Sequence, residues 1–134
     1  MKSKVVYYSK SGNTKKIADA IALELNCEVT DINTPINESI DTLFLGASVY
    51  KFGIDKQVLS FINSLDSNLV KNVVIFSTSA MSDSGYPKLV SVLKDKNIVV
   101  SKKHFYCKGS FMMINKNRPN LDDVNDARQF AKSI

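Results

Sequence analysis

Hydroxyl and amide side chains are concentrated at residues 9–14, where the sequence reads Ser-Lys-Ser-Gly-Asn-Thr. This stretch follows a short β-rich run at residues 5–8 and precedes an apolar helical stripe that begins at Ile17. The N-terminus of a helix presents unpaired backbone N–H groups and the positive end of its dipole, which together favour an anion. Gly12 lets the backbone approach a phosphate closely. The pattern therefore predicts a phosphate site, with a simple Ser or Asn helix cap as the alternative.

The spacing of this loop narrows the class of phosphate. It lacks the GxxxxGK[ST] pattern of nucleoside-triphosphate sites and the GxGxxG pattern of dinucleotide sites. A terminal monophosphate, held by neutral hydroxyl and amide donors, fits the loop best.

Apolar runs alternate with helical stripes along the whole chain. The runs that predict strands lie at residues 5–8, 27–32, 43–47, 73–76 and 98–106, the last interrupted by polar residues 101–104. The stripes that predict helices lie at residues 17–25, 58–65, 87–96 and 120–131, with Asn120 as an N-cap. This alternation predicts an α/β fold with a parallel sheet between helices, and the charge-interrupted fifth strand at an edge. Ligands of such sheets bind beyond the strand C-termini, here the loops at residues 9–14, 48–53 and 77–85.

Residues 9–14 resemble the FMN phosphate loop of flavodoxins, and they stand after the first strand as that loop does. Residues 45–53, Leu-Gly-Ala-Ser-Val-Tyr-Lys-Phe-Gly, resemble the flavin loop of short flavodoxin-like domains, including relatives of flavodoxin-type protoporphyrinogen oxidases. Residues 76–79 resemble the hydroxyl-rich loop after the fourth strand of these proteins, and residues 105–109 and 118–131 resemble the C-terminal part of clostridial-type flavodoxin domains. The resemblance implies FMN as cofactor. It also implies one flavodoxin-like domain over residues 1–134, a three-layer α/β/α sandwich with a parallel sheet of order 2-1-3-4-5.

The resemblance also implies roles for individual residues. The FMN phosphate would be held by Ser9, Ser11, Gly12, Asn13 and Thr14. One side of the isoalloxazine ring would lie against Ser48, Val49, Tyr50, Lys51, Phe52 and Gly53. The other side, with the ribityl and pyrimidine atoms, would be reached by Ser77, Thr78, Ser79 and Ala80. Since a flat amphipathic ring favours aromatic walls, Tyr50 and Phe52 are the expected stacking residues, with Tyr86 as a third candidate.

The function implied by the resemblance is a small carrier that shuttles electrons between a reductase and an acceptor enzyme. No side chain is then required as an acid or a base. Two alternatives stay open: an FMN-dependent oxidoreductase that acts directly on a quinone or porphyrinogen, and a flavodoxin-like domain without FMN that serves as a binding module.

The charge of the chain departs from the acidic flavodoxins. The net charge is +5, with −1 in residues 1–67 and +6 in residues 68–134. The lysines lack interleaved aromatic platforms and a recognition helix, so nucleic acid is excluded as a partner. We expect a docking patch for acidic partner proteins around the fifth strand and fourth helix, partly beside the flavin. Lys51 is expected to stabilise an anionic reduced flavin.

Other features exclude further classes. No apolar run approaches the ~20 residues of a membrane span, and the apolar stretch near the N-terminus is too short for a signal peptide. One histidine and two distant cysteines cannot form a zinc site. Cys27 and Cys107 form no disulfide framework, which predicts a reducing cytoplasm, and Cys107 is expected to be a buried structural thiol. His104 is expected to be a surface residue.

Overall fold

The computed structural model describes residues 2–48, 53–79, 85–110 and 115–134. Its strands are β1 (Ser3–Tyr8), β2 (Glu28–Asp31), β3 (Thr42–Ser48), β4 (Val73–Ser79) and β5 (Phe105–Lys108). Its helices are α1 (Asn13–Leu25), α2 (Lys56–Ser64), α3 (Gly85–Asp95) and α4 (Leu121–Lys132). The strands form one parallel sheet of order β2-β1-β3-β4-β5. This confirms the predicted flavodoxin-like order and the edge position of β5.

The centre of the sheet is covered on both faces. All seven residues of β3 are buried, as the uninterrupted apolar run predicted. Phe44 packs on one face with apolar residues of α1 and α4, while its neighbours Leu43 and Leu45 pack on the other face with residues of α2 and α3. Alternate residues of a strand point to opposite faces, so the two cores are separated by the sheet itself.

The fifth strand is shorter than the sequence pattern predicted. Only Phe105–Lys108 pairs along β4, and Val100 forms an isolated bridge to Val73. The expectation of one strand running from residue 98 was therefore wrong. The Ser101 N–H still donates to the carbonyl of Val73, but Lys102 and Lys103 are exposed, and the chain leaves the sheet edge between these two contacts.

The last helix begins with a closed network of hydrogen bonds. The Asn120 side chain accepts from the Asp123 N–H, and the Asp123 carboxylate accepts from the Asn120 N–H, which confirms the predicted cap. Arg118 donates to both carboxylate oxygens of Asp123, at 2.6 and 2.7 Å. This pairing holds the pKa of Asp123 below its ordinary value.

A close approach between β3 and β4 requires glycine at position 46. Gly46 lies opposite Phe76, and a Cβ at position 46 would stand 2.1 Å from Cε2 of that ring. Phe76 is fully buried, so its ring has nowhere to move without displacing its neighbours.

We expect Gly46→Ala to lower the free energy of unfolding by about 1–3 kcal/mol, since overpacking forces side chains and backbone to shift. Urea denaturation measures the loss. The double variant Gly46→Ala/Phe76→Leu, which narrows the ring side chain, should lose less than the sum of the two single variants. Additive losses would contradict the proposed clash.

Candidate functional site

The predicted phosphate loop leads into an uncapped helix start. Gly12 precedes α1 with a φ of 90°, and among the described residues no side chain caps the helix. The first backbone hydrogen bond of the helix joins the Lys16 N–H to the Gly12 carbonyl at 3.1 Å. The N–H groups of residues 13–15 therefore precede the helical ladder and are available to an anion.

The space in front of this helix start is open. A Cβ at Gly12 would have no atom within 4 Å. Ser11 is exposed and Ser9 is half-buried, with its hydroxyl accepting from the Gly12 N–H at 2.9 Å. Backbone donors, two hydroxyls and open space meet here, so the residues present fit a phosphate group.

Three buried hydroxyls converge beneath this loop. Thr14 Oγ1 lies 2.8 Å from Ser48 Oγ and 2.9 Å from Thr78 Oγ1, and the latter two atoms are 3.4 Å apart. We name these three residues the hydroxyl cluster. The two short contacts use two of the three hydroxyl protons, so the third can close the longer contact or be donated to a ligand. The cluster joins α1 to the ends of β3 and β4, which brings members of all three predicted loops together.

The other site residues of the fourth strand are also at this edge. Ser77 is buried in β4 and Ser79 is half-buried at its end. The Ser79 carbonyl accepts from the Gly109 N–H at 3.0 Å and from the Tyr106 hydroxyl at 3.3 Å. Asn13 is buried, and its side-chain amide donates to the Ser110 carbonyl at 2.9 Å.

The second loop is described only at its two ends, Ser48 and Gly53. Gly53 has a φ of 105°, and Lys88 Nζ lies 3.7 Å from the position of a Cβ there. Five of the predicted cofactor residues lie outside the described residues: Val49, Tyr50, Lys51, Phe52 and Ala80.

Three contacts at this edge were missed by sequence reasoning. Lys10 forms an ion pair with Asp55 at 3.2 Å, which links the first loop to the start of α2. Asp55 also caps α2 by accepting from the Gln57 N–H, and this hydrogen bond is the main cause that lowers its pKa. The cap was visible in the sequence as an aspartate before a helical stripe. The approach of Lys88 to Gly53 had no such signal.

The expectations for His104, Tyr86 and Cys107 have different outcomes. His104 is half-buried and its ring stacks on Tyr86 with centroids 3.7 Å apart, so the expectation of a plain surface histidine was wrong. Since one face of Tyr86 is covered in this way and its hydroxyl donates to the Ser101 carbonyl, Tyr86 is a poor candidate for stacking on a flavin. Cys107 is buried as predicted, and burial raises the pKa of its thiol to about 12.

The family model described as a flavodoxin domain matches residues 4–104. The chain belongs to the flavodoxin family. An uncharacterized protein of Methanocaldococcus jannaschii is 34% identical over 154 aligned positions, covering 100% of this chain and 98% of that protein. The flavodoxin-like domain-containing protein BilS of Clostridioides difficile is 31% identical over 122 positions, covering 81% of this chain and 66% of that protein.

Solved structures of flavodoxins share the fold. A flavodoxin from the domain Archaea superposes with a TM-score of 0.80 at 18% identity, covering 100% of this chain and 96% of that one. The two-electron reduced flavodoxin of Megasphaera elsdenii gives a TM-score of 0.66 at 20% identity, covering 97% and 98% of the two chains. Membership of the flavodoxin family supports FMN binding and electron transfer as the class of function.

Four lysines of the C-terminal half lie in pairs at opposite ends of the strands. Lys94 and Lys102 lie near the N-terminal ends of the strands, because α3 runs back from the site edge and β5 begins after them. Lys88 and Lys108 lie at the C-terminal edge, beside Gly53 and opposite Ser79. Of these four lysines, only Lys88 and Lys108 lie beside the candidate site.

Among the residues that the structure describes, no helix is both long and apolar enough to cross a membrane. Within the same residues, no three His, Cys, Asp or Glu side chains are grouped to hold a metal ion.

We expect Thr14→Val to lower the free energy of unfolding by about 1–3 kcal/mol, because Ser48 and Thr78 lose a buried hydrogen-bond partner while the side-chain shape is kept. Urea denaturation measures the loss.

Thr30→Val is the matched control, since the Thr30 hydroxyl is buried and has no hydrogen-bond partner among the described residues. This variant should be as stable as the unsubstituted protein or more so. Equal effects of the two substitutions would show that the hydroxyl cluster does not stabilise the fold.

Proposed function

We propose that this flavodoxin binds FMN and acts as an electron carrier between two redox proteins. The observation that supports the proposal most directly is the open, uncapped start of α1 above the hydroxyl cluster. It offers N–H groups to a phosphate at the edge where β1, β3 and β4 end. This edge is the switch point of the sheet, and flavodoxin itself is the standard example of FMN bound there.

The residues of this chain would divide the work of binding. Ser9, Ser11 and the amides of residues 13–15 would hold the phosphate, with Thr14 beneath them. The loops at residues 48–53 and 77–80 would lie on the two sides of the ring. FMN, when bound, accepts and releases one or two electrons. Asp55, which the ion pair with Lys10 links to the first loop, is engaged in that pair and in a helix cap, so it would not move protons for the flavin.

We expect the purified protein to bind FMN more tightly than riboflavin, which lacks the phosphate, and Gly12→Ala to reduce this preference about tenfold. Alanine at a φ of 90° costs about 1–2 kcal/mol, and its Cβ would enter the open space that the phosphate needs. Quenching of flavin fluorescence measures both dissociation constants.

Asn26→Ala is the control for backbone strain. Asn26 ends α1 with a φ of 51°, away from the site, so this variant should lose stability and keep the preference for FMN. Equal affinity of the unsubstituted protein for FMN and riboflavin would contradict the phosphate site. A protein that takes up neither flavin would act as a binding module, and turnover of a quinone without a partner protein would indicate an enzyme.

The redox partner is proposed to be acidic where it docks. Lys88 and Lys108 are exposed at the edge of the candidate site, and neither has an ion pair within the described part of the chain. Charges at the site edge steer association with an oppositely charged surface, and salt weakens that steering.

We expect Lys88→Glu/Lys108→Glu to slow the oxidation of protein-bound reduced FMN by the anion ferricyanide severalfold at low ionic strength. The same variant should accelerate oxidation by the cationic hexaamminecobalt(III). Lys94→Glu/Lys102→Glu, which changes the net charge equally at the opposite edge, should have a much smaller effect. Stopped-flow mixing measures the rates. Equal effects of the two double variants would mean that net charge alone, rather than the site edge, sets the rate.

A further inference from the structure

Asn13 joins the phosphate loop to a segment far along the chain. Its Nδ2 donates to the Ser110 carbonyl at 2.9 Å, and its Oδ1 accepts from the Ser110 hydroxyl at 3.4 Å. Both polar atoms of the amide are thus engaged with one residue, and the side chain is buried. The backbone N–H of Asn13 stays at the open helix start.

Gly109 shapes the place where the amide of Asn13 lies. A Cβ at Gly109 would stand 2.8 Å from Asn13 Nδ2 and 3.3 Å from its Cγ, so the amide could not keep its position beside an alanine. Gly109 is buried, and its N–H donates to the carbonyl of Ser79 at the end of β4. The contact therefore connects the start of α1 with the carboxyl ends of both β4 and β5.

The far side of this contact is also anchored. The Ser110 N–H donates to the Arg118 carbonyl at 2.8 Å, and the Arg118 guanidinium is paired with Asp123 in the first turn of α4. Asn13 thus reaches, through Ser110, a backbone that is held at both ends.

We propose that Asn13 is a positioning residue of the phosphate site: its side chain fixes the first turn of α1 to Ser110, and only its backbone N–H serves the phosphate. This inference rests on the proposed binding of FMN. It differs from the role that the family resemblance implies, in which Asn13 holds the phosphate with the rest of the loop. The side chain acts on the ligand through the alignment of the amides of residues 13–15, which requires a fixed first turn.

The test compares the unsubstituted protein with Asn13→Ala, Gly109→Ala and the double variant, using FMN and riboflavin as probes. Asn13→Ala should weaken FMN binding about tenfold, because a first turn that is no longer fixed would misalign the phosphate-binding amides by about the equivalent of one hydrogen bond to a charged group. It should change riboflavin binding less than twofold. Gly109→Ala should have a similar effect because it displaces the amide. The double variant should be no worse than Asn13→Ala, since alanine at position 13 leaves room for the new Cβ.

Amide hydrogen exchange of the FMN-saturated proteins separates the two roles of Asn13. If the side chain positions the loop, the N–H groups of Gly109 and Ser110 exchange faster in Asn13→Ala. A loss of FMN affinity with unchanged exchange at these two amides would show a direct phosphate ligand and overturn the proposal. An equal loss for both flavins would show a purely structural role and overturn it too.

FMN binding by the unsubstituted protein distinguishes a failure of this positioning role from a failure of the proposed function. If that protein binds FMN tightly and Asn13→Ala does so equally well, the positioning role is wrong and the cofactor proposal stands. If the unsubstituted protein binds neither flavin, both proposals fall together.

Discussion

The burial of β3 along its whole length is the constraint from which the rest of this flavodoxin follows. A strand buried on both faces needs helices on both sides, and parallel neighbours can be joined only by crossovers. Each crossover begins at the same edge of the sheet, so the loops after β1, β3 and β4 are brought together there. The apolar centre thereby determines where the polar residues must meet.

At that edge the protein separates a buried layer from an exposed one. The hydroxyls of Thr14, Ser48 and Thr78 satisfy one another in the interior, where an unpaired polar group would be costly. The backbone amides at the start of α1 remain above them, open to an anion. The hydroxyl cluster joins α1 to β3 and β4, and the helix start offers N–H donors to an anion. Stability and the proposed phosphate binding would thus depend on neighbouring but different groups.

The sequence indicates the local features of this arrangement, but few of its long-range contacts could be predicted from it. The Asn120 cap and the alternation of strands and helices follow from patterns within a few residues, so they could be predicted. The order of the strands was implied by the resemblance to flavodoxins rather than by any local pattern. The contact of Asn13 with Ser110 spans 97 positions, and no local pattern marks it. The break before β5 was missed because hydrophobicity resumes at Phe105, while the strand pairing itself depends on where β4 offers its backbone.

The distribution of charge shows why net charge is a poor guide to docking. A sheet whose central strands have seven residues separates its two edges by roughly 20 Å, at about 3.3 Å per residue. Exposed charges are screened over about 10 Å at 0.1 M salt, so Lys94 and Lys102 contribute little field at the opposite edge. Lys88 and Lys108 lie beside residues of the candidate site, within this screening length. The property that would select a partner is therefore the placement of two lysines beside the candidate site, which the basic composition of the C-terminal half conceals.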